Sequence, residues 1–139
     1  MKKGAALKVK SYSGSCLCGS VRFSFVGKLD DIWFCHCEAC RKNYGMYGAF
    51  AGIKRGELKL EHKLPLGKTK AKGGADRYFC SGCGSPILWD RPKMPRTYVL
   101  LGLIEGAATI VKAQHIFTKE KGAYYQICDK WPQFLSVPK

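Results

Sequence analysis

The chain has 139 residues and 46% hydrophobic content, which fits one domain with a modest core. Its longest apolar run, 98–111, is too short to cross a bilayer as a helix and contains Glu105, and the N-terminal MKKGAALKVK lacks the apolar centre of a signal peptide. A net charge of +14, from 24 Lys+Arg against 10 Asp+Glu, favours anionic partners or serves solubility alone.

Residues 1–10 carry Lys2, Lys3, Lys8 and Lys10 with no acid and read as a loose basic tail, leaving 11–139 as a single domain. Segment 12–19 reads YSGSCLCG, with Cys16 and Cys18 two apart between glycines. Val21-Arg22-Phe23-Ser24-Phe25 alternates apolar and polar and predicts a half-buried strand, followed by a turn over 27–31. Ile32-Trp33-Phe34 predicts an apolar strand entering Cys35-His36-Cys37-Glu38-Ala39-Cys40, and 41–45 the end of a short helix stopped by Gly45 and Gly48. Strands follow at 49–53, at 57–61 with Leu58 and Leu60 facing the core, at 77–79, 87–89 and 98–101, and further ones at 113–117 and 124–128. Short strands with frequent glycine turns give a mainly β fold with one short helix.

Eight cysteines without a secretory leader imply a cytoplasmic protein, where thiols stay reduced and clustered cysteines bind metal more often than they pair. In C-x-C-x-x-C, Cys35 and Cys37 share a side of an extended segment, and Cys37 and Cys40 share a face of one helical turn. A strand running into a helix at Cys37 would aim all three sulfurs at one point, as zinc requires, with a fourth position left vacant for chemistry. Cys80-x-x-Cys83-Gly84 has the spacing of a zinc knuckle and needs a second pair. Cys16 and Cys18 are the preferred partners, giving a closed, structural four-thiolate site. Two arrangements compete: a zinc ribbon from Cys37/Cys40 and Cys80/Cys83, whose inner gap of 39 residues (41–79) is long for that motif, and disulfides.

The order S-G-S-C-x-C-G-x-V-x-F, then C-H-C-x-x-C-R-K, then F-C-x-x-C-G-S-P-I over about residues 13–103 resembles the glutathione-dependent formaldehyde-activating (GFA) family, also called the centromere protein V family. The resemblance implies an Mss4-like fold of β-sheets clamped by zinc. It implies two zinc ions, a structural one on Cys16, Cys18, Cys80 and Cys83 and a second on Cys35, Cys37 and Cys40. It also implies a carbon–sulfur lyase that condenses formaldehyde with a small anionic thiol, glutathione, to S-hydroxymethylglutathione. Arg41 and Lys42 follow the last ligand and would hold a substrate carboxylate, or simply form a solvated helix face.

Other residues carry plainer expectations. His36 points away from the metal on an extended segment, so a structural or surface role is expected over ligation. His115 reads as a satisfied core histidine, with proton transfer the alternative. Cys128 reads as a buried small hydrophobe, and Trp33, Trp89 and Trp131 as core. A second functional reading is a zinc-stabilised binding module for nucleic acid, with segment 54–72, seven basic residues against Glu57 and Glu61, as its contact face. It ranks below the enzyme because no RNA-binding aromatic motif or recognition helix accompanies the charge.

Overall fold

A computed structural model of the chain describes residues 9–106 and 108–138. Most of the expected basic tail, residues 1–8, lies outside the described residues, and Lys10 already begins the first strand. In chain order the elements are β1 (Lys10–Ser15), β2 (Val21–Gly27), β3 (Ile32–Cys35), α1 (Glu38–Tyr44), β4 (Gly48–Lys54), β5 (Lys59–His62), β6 (Leu66–Lys70), β7 (Asp76–Cys80), β8 (Pro86–Asp90), β9 (Arg96–Leu100) and β10 (Ala113–Ile116). A three-stranded sheet has the order β1-β2-β5, and a seven-stranded sheet the order β10-β3-β4-β9-β8-β7-β6. The fold is mainly β with one short α-helix among the described residues, as the sequence predicts.

Period-two alternation sets each sheet face. In β2, Val21, Phe23 and Phe25 are buried while Arg22, Ser24 and Val26 are exposed. Fully burying each such side chain contributes about 1.5–3 kcal/mol. The large sheet carries apolar side chains on both faces around β4, an interior strand that is buried almost throughout. Ile32, Phe34, Ala51, Ile53 and Val99 join one apolar cluster; Trp33, Cys35, Phe50, Tyr98 and Leu100 join another. Cys16, Cys80 and Cys83 belong to the first cluster, and Cys35, Cys37 and Cys40 to the second. The alternation therefore assigns the two cysteine groups to different apolar environments.

Gly14 fixes how closely β1 approaches the rest of the fold. A Cβ there would strike the Phe23 ring across the strand pair and the Leu103 carbonyl oxygen. The second obstacle is backbone and cannot swing aside. Gly14→Ala is therefore expected to cost about 1–3 kcal/mol. Gly27→Ala, where the added carbon meets nothing within 4 Å, should stay within about 0.5 kcal/mol of wild type. Paired thermal melts check this, and equal midpoints would mean that the close approach at Gly14 is not limiting.

Two expectations are corrected. Residues 124–128 form no strand. Their aromatic residues serve as side chains packed on α1: Tyr124 Oη donates to the Gly45 carbonyl at 2.5 Å, and Tyr125 Oη lies 3.3 Å from the Met46 carbonyl. The backbone of β10 is met instead by residues further on, through His115 N–H to Pro132 O at 2.8 Å and Phe134 N–H to His115 O at 2.9 Å. Cys128 is exposed on that loop and is not a buried hydrophobe. The three tryptophans are partly buried and pack against the two clusters, near the core rather than deep within it.

Candidate metal centres

Cys16, Cys18, Cys80 and Cys83 come together from two tight turns. After β1 the chain closes on itself through Cys16 N–H to Val21 O at 3.0 Å and Gly19 N–H to Cys16 O at 3.1 Å. After β7, Gly84 N–H bonds Cys80 O at 2.8 Å, and Gly84 takes a φ of 79°, the left-handed conformation that favours glycine. Cys18 Sγ lies 3.7 Å from both Cys16 Sγ and Cys80 Sγ. A tetrahedron with zinc–sulfur bonds of about 2.3 Å has edges of about 3.8 Å, so this donor set fits zinc. Amide hydrogen bonds from Val21 to Cys16 Sγ (3.3 Å) and from Gly82 to Cys80 Sγ (3.3 Å) suit thiolates. The hydroxyl and amide of Ser85 bring the Cys83 thiol down to about 5. All eight cysteines are free thiols, and Cys80/Cys83 meet Cys16/Cys18 rather than Cys37/Cys40, which removes both the disulfide and the ribbon arrangements.

The second group forms where β3 runs into α1, as the spacing predicts. Cys35 ends the strand, Cys37 is the helix N-cap with an extended ψ of 162°, and Cys40 lies on the first turn. The three sulfurs lie within 4.8 Å of one another. Cys37 Sγ accepts the Cys40 amide at 3.4 Å, and Glu120 Oε1 accepts the Glu38 amide at 2.9 Å, so a carboxylate from beyond β10 also satisfies the helix start. Hydrogen bonds from Cys35 and Cys40 push the Cys37 thiol down to about 2. The contacts to Cys37 and Cys40, with burial, drive Cys35 upward. The three sulfurs thus compete for charge, and a divalent cation would let all of them ionise. Three soft donors, two of them buried, fit zinc with one position to spare.

Spacing did not reveal what surrounds this group. Arg77 of β7 lies beside Tyr44 and Cys40; against its burial, both hold its proton on. Its Nε is buried without a partner, on a side chain that neighbours a site where thiolates would carry excess negative charge. Of the two cations that follow Cys40, Lys42 is exposed and bound to Glu38 at 3.2 Å, whereas Arg41 is half-buried. Trp33, Phe50, Trp89, Ile116 and Phe134 pack around the sulfurs and keep water from them.

His36 is fully buried rather than on the surface. Its Nδ1 lies 2.5 Å from Tyr125 Oη, its Nε2 lies 2.9 Å from His115 Nδ1, and His115 Nε2 lies 3.0 and 3.1 Å from the two oxygens of Asp129. His115 is thus a satisfied buried histidine, as expected, but one tied to the metal turn. A cavity of about 420 Å³ opens beside this chain, lined by Tyr47, His115, Tyr125 and residues 126–129. Tyr125 and Asp129 carry no spacing signal. Tyr125 falls in the segment that reads as a strand, and Asp129 directly follows it.

Among known proteins, an uncharacterized lyase of Schizosaccharomyces pombe is 23% identical over 125 residues, spanning 88% of this chain and 90% of the yeast protein. A crystal structure of a Rhodobacter sphaeroides protein matches with a TM-score of 0.56 at 27% identity, covering 68% of this chain and 89% of that one. The family described as glutathione-dependent formaldehyde-activating enzyme matches residues 11–120, a span that contains all seven clustered cysteines. The chain belongs to the glutathione-dependent formaldehyde-activating enzyme (GFA) family.

Proposed function

We propose that the protein is a zinc-dependent carbon–sulfur lyase that makes and breaks a thiol–aldehyde adduct such as that of glutathione and formaldehyde. One observation carries the reading: a four-thiol group that closes a tetrahedron lies in the same fold as a three-thiol group one donor short. Membership of the GFA family and the lyase name of the yeast relative support it. In this reading Cys16, Cys18, Cys80 and Cys83 hold a structural zinc, and Cys35, Cys37 and Cys40 hold the second. Residues 11–139 act as one unit in a reducing compartment such as the cytoplasm.

Zinc in the open site supplies the positive charge that keeps a substrate sulfur in its thiolate form at neutral pH. The chain's own residues do the rest. Cys35, Cys37 and Cys40 fix the place where that sulfur sits. Arg77, with its unpaired buried Nε, offsets the negative charge that a fourth sulfur adds. Arg41 is better placed than Lys42 to grip a substrate carboxylate, since Lys42 is exposed and already paired. The apolar wall of Trp33, Phe50 and Ile116 lowers the local dielectric and strengthens each of these interactions.

Exchange NMR of formaldehyde with glutathione and with other thiols, with and without protein, tests the reading. At least about a tenfold acceleration of adduct formation and breakdown is expected for one small anionic thiol, well within what positioned acid–base and electrostatic catalysis supplies. No acceleration for any thiol would remove the enzyme.

The alternative, a nucleic-acid-binding module, rests on the +14 charge. Its basic segment 54–72 is spread over β5 and β6, which belong to different sheets, and Arg55 and Lys70 are spent on Asp90 and Asp76. A divided and partly neutralised surface favours the enzyme.

A further inference from the structure

One face of the large sheet can be followed strand by strand from the open thiol group to Arg77. Cross-strand partners share a face, and so do residues two apart on one strand. Cys35 shares its face with Trp33; Trp33 pairs with Phe50, and Phe50 with Leu100. Tyr98, two residues before Leu100, pairs with Trp89, and Trp89 pairs with Arg77. The rings of Tyr98 and Trp89 meet edge-on at 5.8 Å between centres. Helix α1 packs on this same face. Its Tyr44, one turn on from Cys40, meets Phe50 edge-on at 5.6 Å. Cys40, Tyr44, Phe50 and Trp89 belong to one cluster, and Arg77, beside Trp89, has Tyr44 and Cys40 as its polar neighbours from the helix.

Arg77 is placed unlike the other paired cations of the sheet. A guanidinium keeps its proton, so its charge is permanent. The side chain is partly buried, and its Nε is buried without a hydrogen-bond partner. Among the described residues it forms no ion pair with a carboxylate. Arg55 pairs with Asp90 and Arg96 with Asp31. The adjacent Asp76 falls on the opposite face of β7 and lies 3.1 Å from Lys70. A cation drawn into an apolar wall needs a counter-charge, and the thiol group beside Arg77 can supply it. Three thiolates around a divalent cation leave one negative charge. Arg77 adds the one positive charge that cancels it, so the loaded site is neutral in its apolar surroundings. Once a substrate sulfur joins, the net charge is one negative rather than two.

We propose, resting on the two-zinc reading above, that Arg77 is a positioning residue of the open site: its fixed positive charge, set beside Cys40 from β7, balances the three thiolates and so fastens the second zinc. The residue acts through the sulfurs and makes no contact with substrate. It also gives the open site a tie to a distant part of the sheet, one made by charge where the closed site is tied by a fourth sulfur.

The test measures zinc affinity at each site by competition with a chromophoric chelator and needs no turnover. It compares wild type with Arg77→Gln, which keeps a polar side chain and removes the charge, with Arg77→Lys, and with Arg91→Gln. Arg91 is a second cation on this face, with its guanidinium 5.3 Å from the centre of the Trp89 ring, and serves as the charge control. Arg77→Gln is expected to bind the second zinc about 10–100-fold more weakly, the usual effect of losing a group that supports metal ligands. The first zinc and the circular dichroism spectrum should be unchanged. Arg77→Lys should recover to within about tenfold of wild type, and Arg91→Gln should stay within about threefold. An Arg77→Gln affinity within about threefold of wild type overturns the assignment. So does an Arg77→Lys as weak as Arg77→Gln, because shape rather than charge would then matter, or an equal loss in Arg91→Gln, which would mean a diffuse field. If Arg77→Gln does not fold, Arg77→Met decides by the same threshold. A wild type that binds two zinc ions but accelerates no thiol's exchange sinks the lyase and leaves Arg77 in this role. A wild type that binds one zinc removes the open metal site and this residue's role together.

Discussion

Cys80→Ser is expected to yield an unfolded or insoluble protein. Cys80 is fully buried at the end of β7, with its sulfur 3.7 Å from Cys18 Sγ and 3.2 Å from Ser20 Oγ. The four-thiol group it completes ties the β1–β2 turn of the small sheet to the β7–β8 turn of the large one. Few other polar links cross there: Leu17 N–H bonds Ser85 Oγ at 3.0 Å. Because such a site cannot pre-exist in the unfolded chain, its binding energy is folding energy, on the order of 10–16 kcal/mol for structural zinc. A domain of this size is stable by only about 5–15 kcal/mol in total. Losing one donor leaves three competing sulfurs around an incomplete tetrahedron, so most of that stability goes. Far-UV circular dichroism and soluble yield measure the loss. Cys128→Ser is the control, since that exposed thiol, among the described residues, hydrogen-bonds only the Gln126 carbonyl at 3.9 Å and its loss should leave both unchanged. Cys80→Ser that folds with wild-type spectra would mean that β pairing alone joins the sheets.

Local spacing carried the legible part of this protein. Two-residue steps on a strand and three-residue steps on a helical turn are geometric facts, so the C-x-C-x-x-C junction and the alternation of β2 could be read directly. The structure also brings Cys16/Cys18 beside Cys80/Cys83, the grouping preferred because the N-terminal two would otherwise be an orphan pair among eight thiols. What escaped were meetings set by sheet order. Arg77 reaches Cys40 because β7 lies in the same sheet as β3, with three strands between them, and no periodicity encodes that. His115 meets His36 because β10 pairs in parallel with β3, in the register His115↔Phe34. β1 was lost to a tail and a motif because SYSGS is short and polar on its outer face, and its partner β2 supplies the apolar surface that holds it. The 124–128 segment misled because aromatic residues rank as strand formers whether they build a ladder or reach out as side chains.

Cys40→Ser is expected to fold normally and to hold about one zinc per chain where wild type holds about two. The three-thiol group differs from the other in what it joins. Its sulfurs fall within six residues at one strand–helix junction, so metal there links nothing distant in sequence. The junction has its own supports: β3 pairs with β4 and β10 on either side, Gly45 N–H closes α1 onto Arg41 O at 2.9 Å, and Glu120 caps its start. Serine in place of the buried Cys40 costs roughly 1–2 kcal/mol for a hydroxyl in an apolar wall, enough to lower the melting point by a few degrees but not to unfold the chain. The circular dichroism spectrum should therefore be nearly unchanged while adduct exchange falls to the background rate. Mild chelation of wild type should follow the same order, removing the second zinc and activity first and unfolding the protein only when the four-thiol site is stripped. Metal analysis beside thermal melts decides between the two sites. If Cys40→Ser unfolds the chain while Cys80→Ser folds and keeps one zinc, the structural and catalytic roles are exchanged, and the lyase built on the open site falls with them.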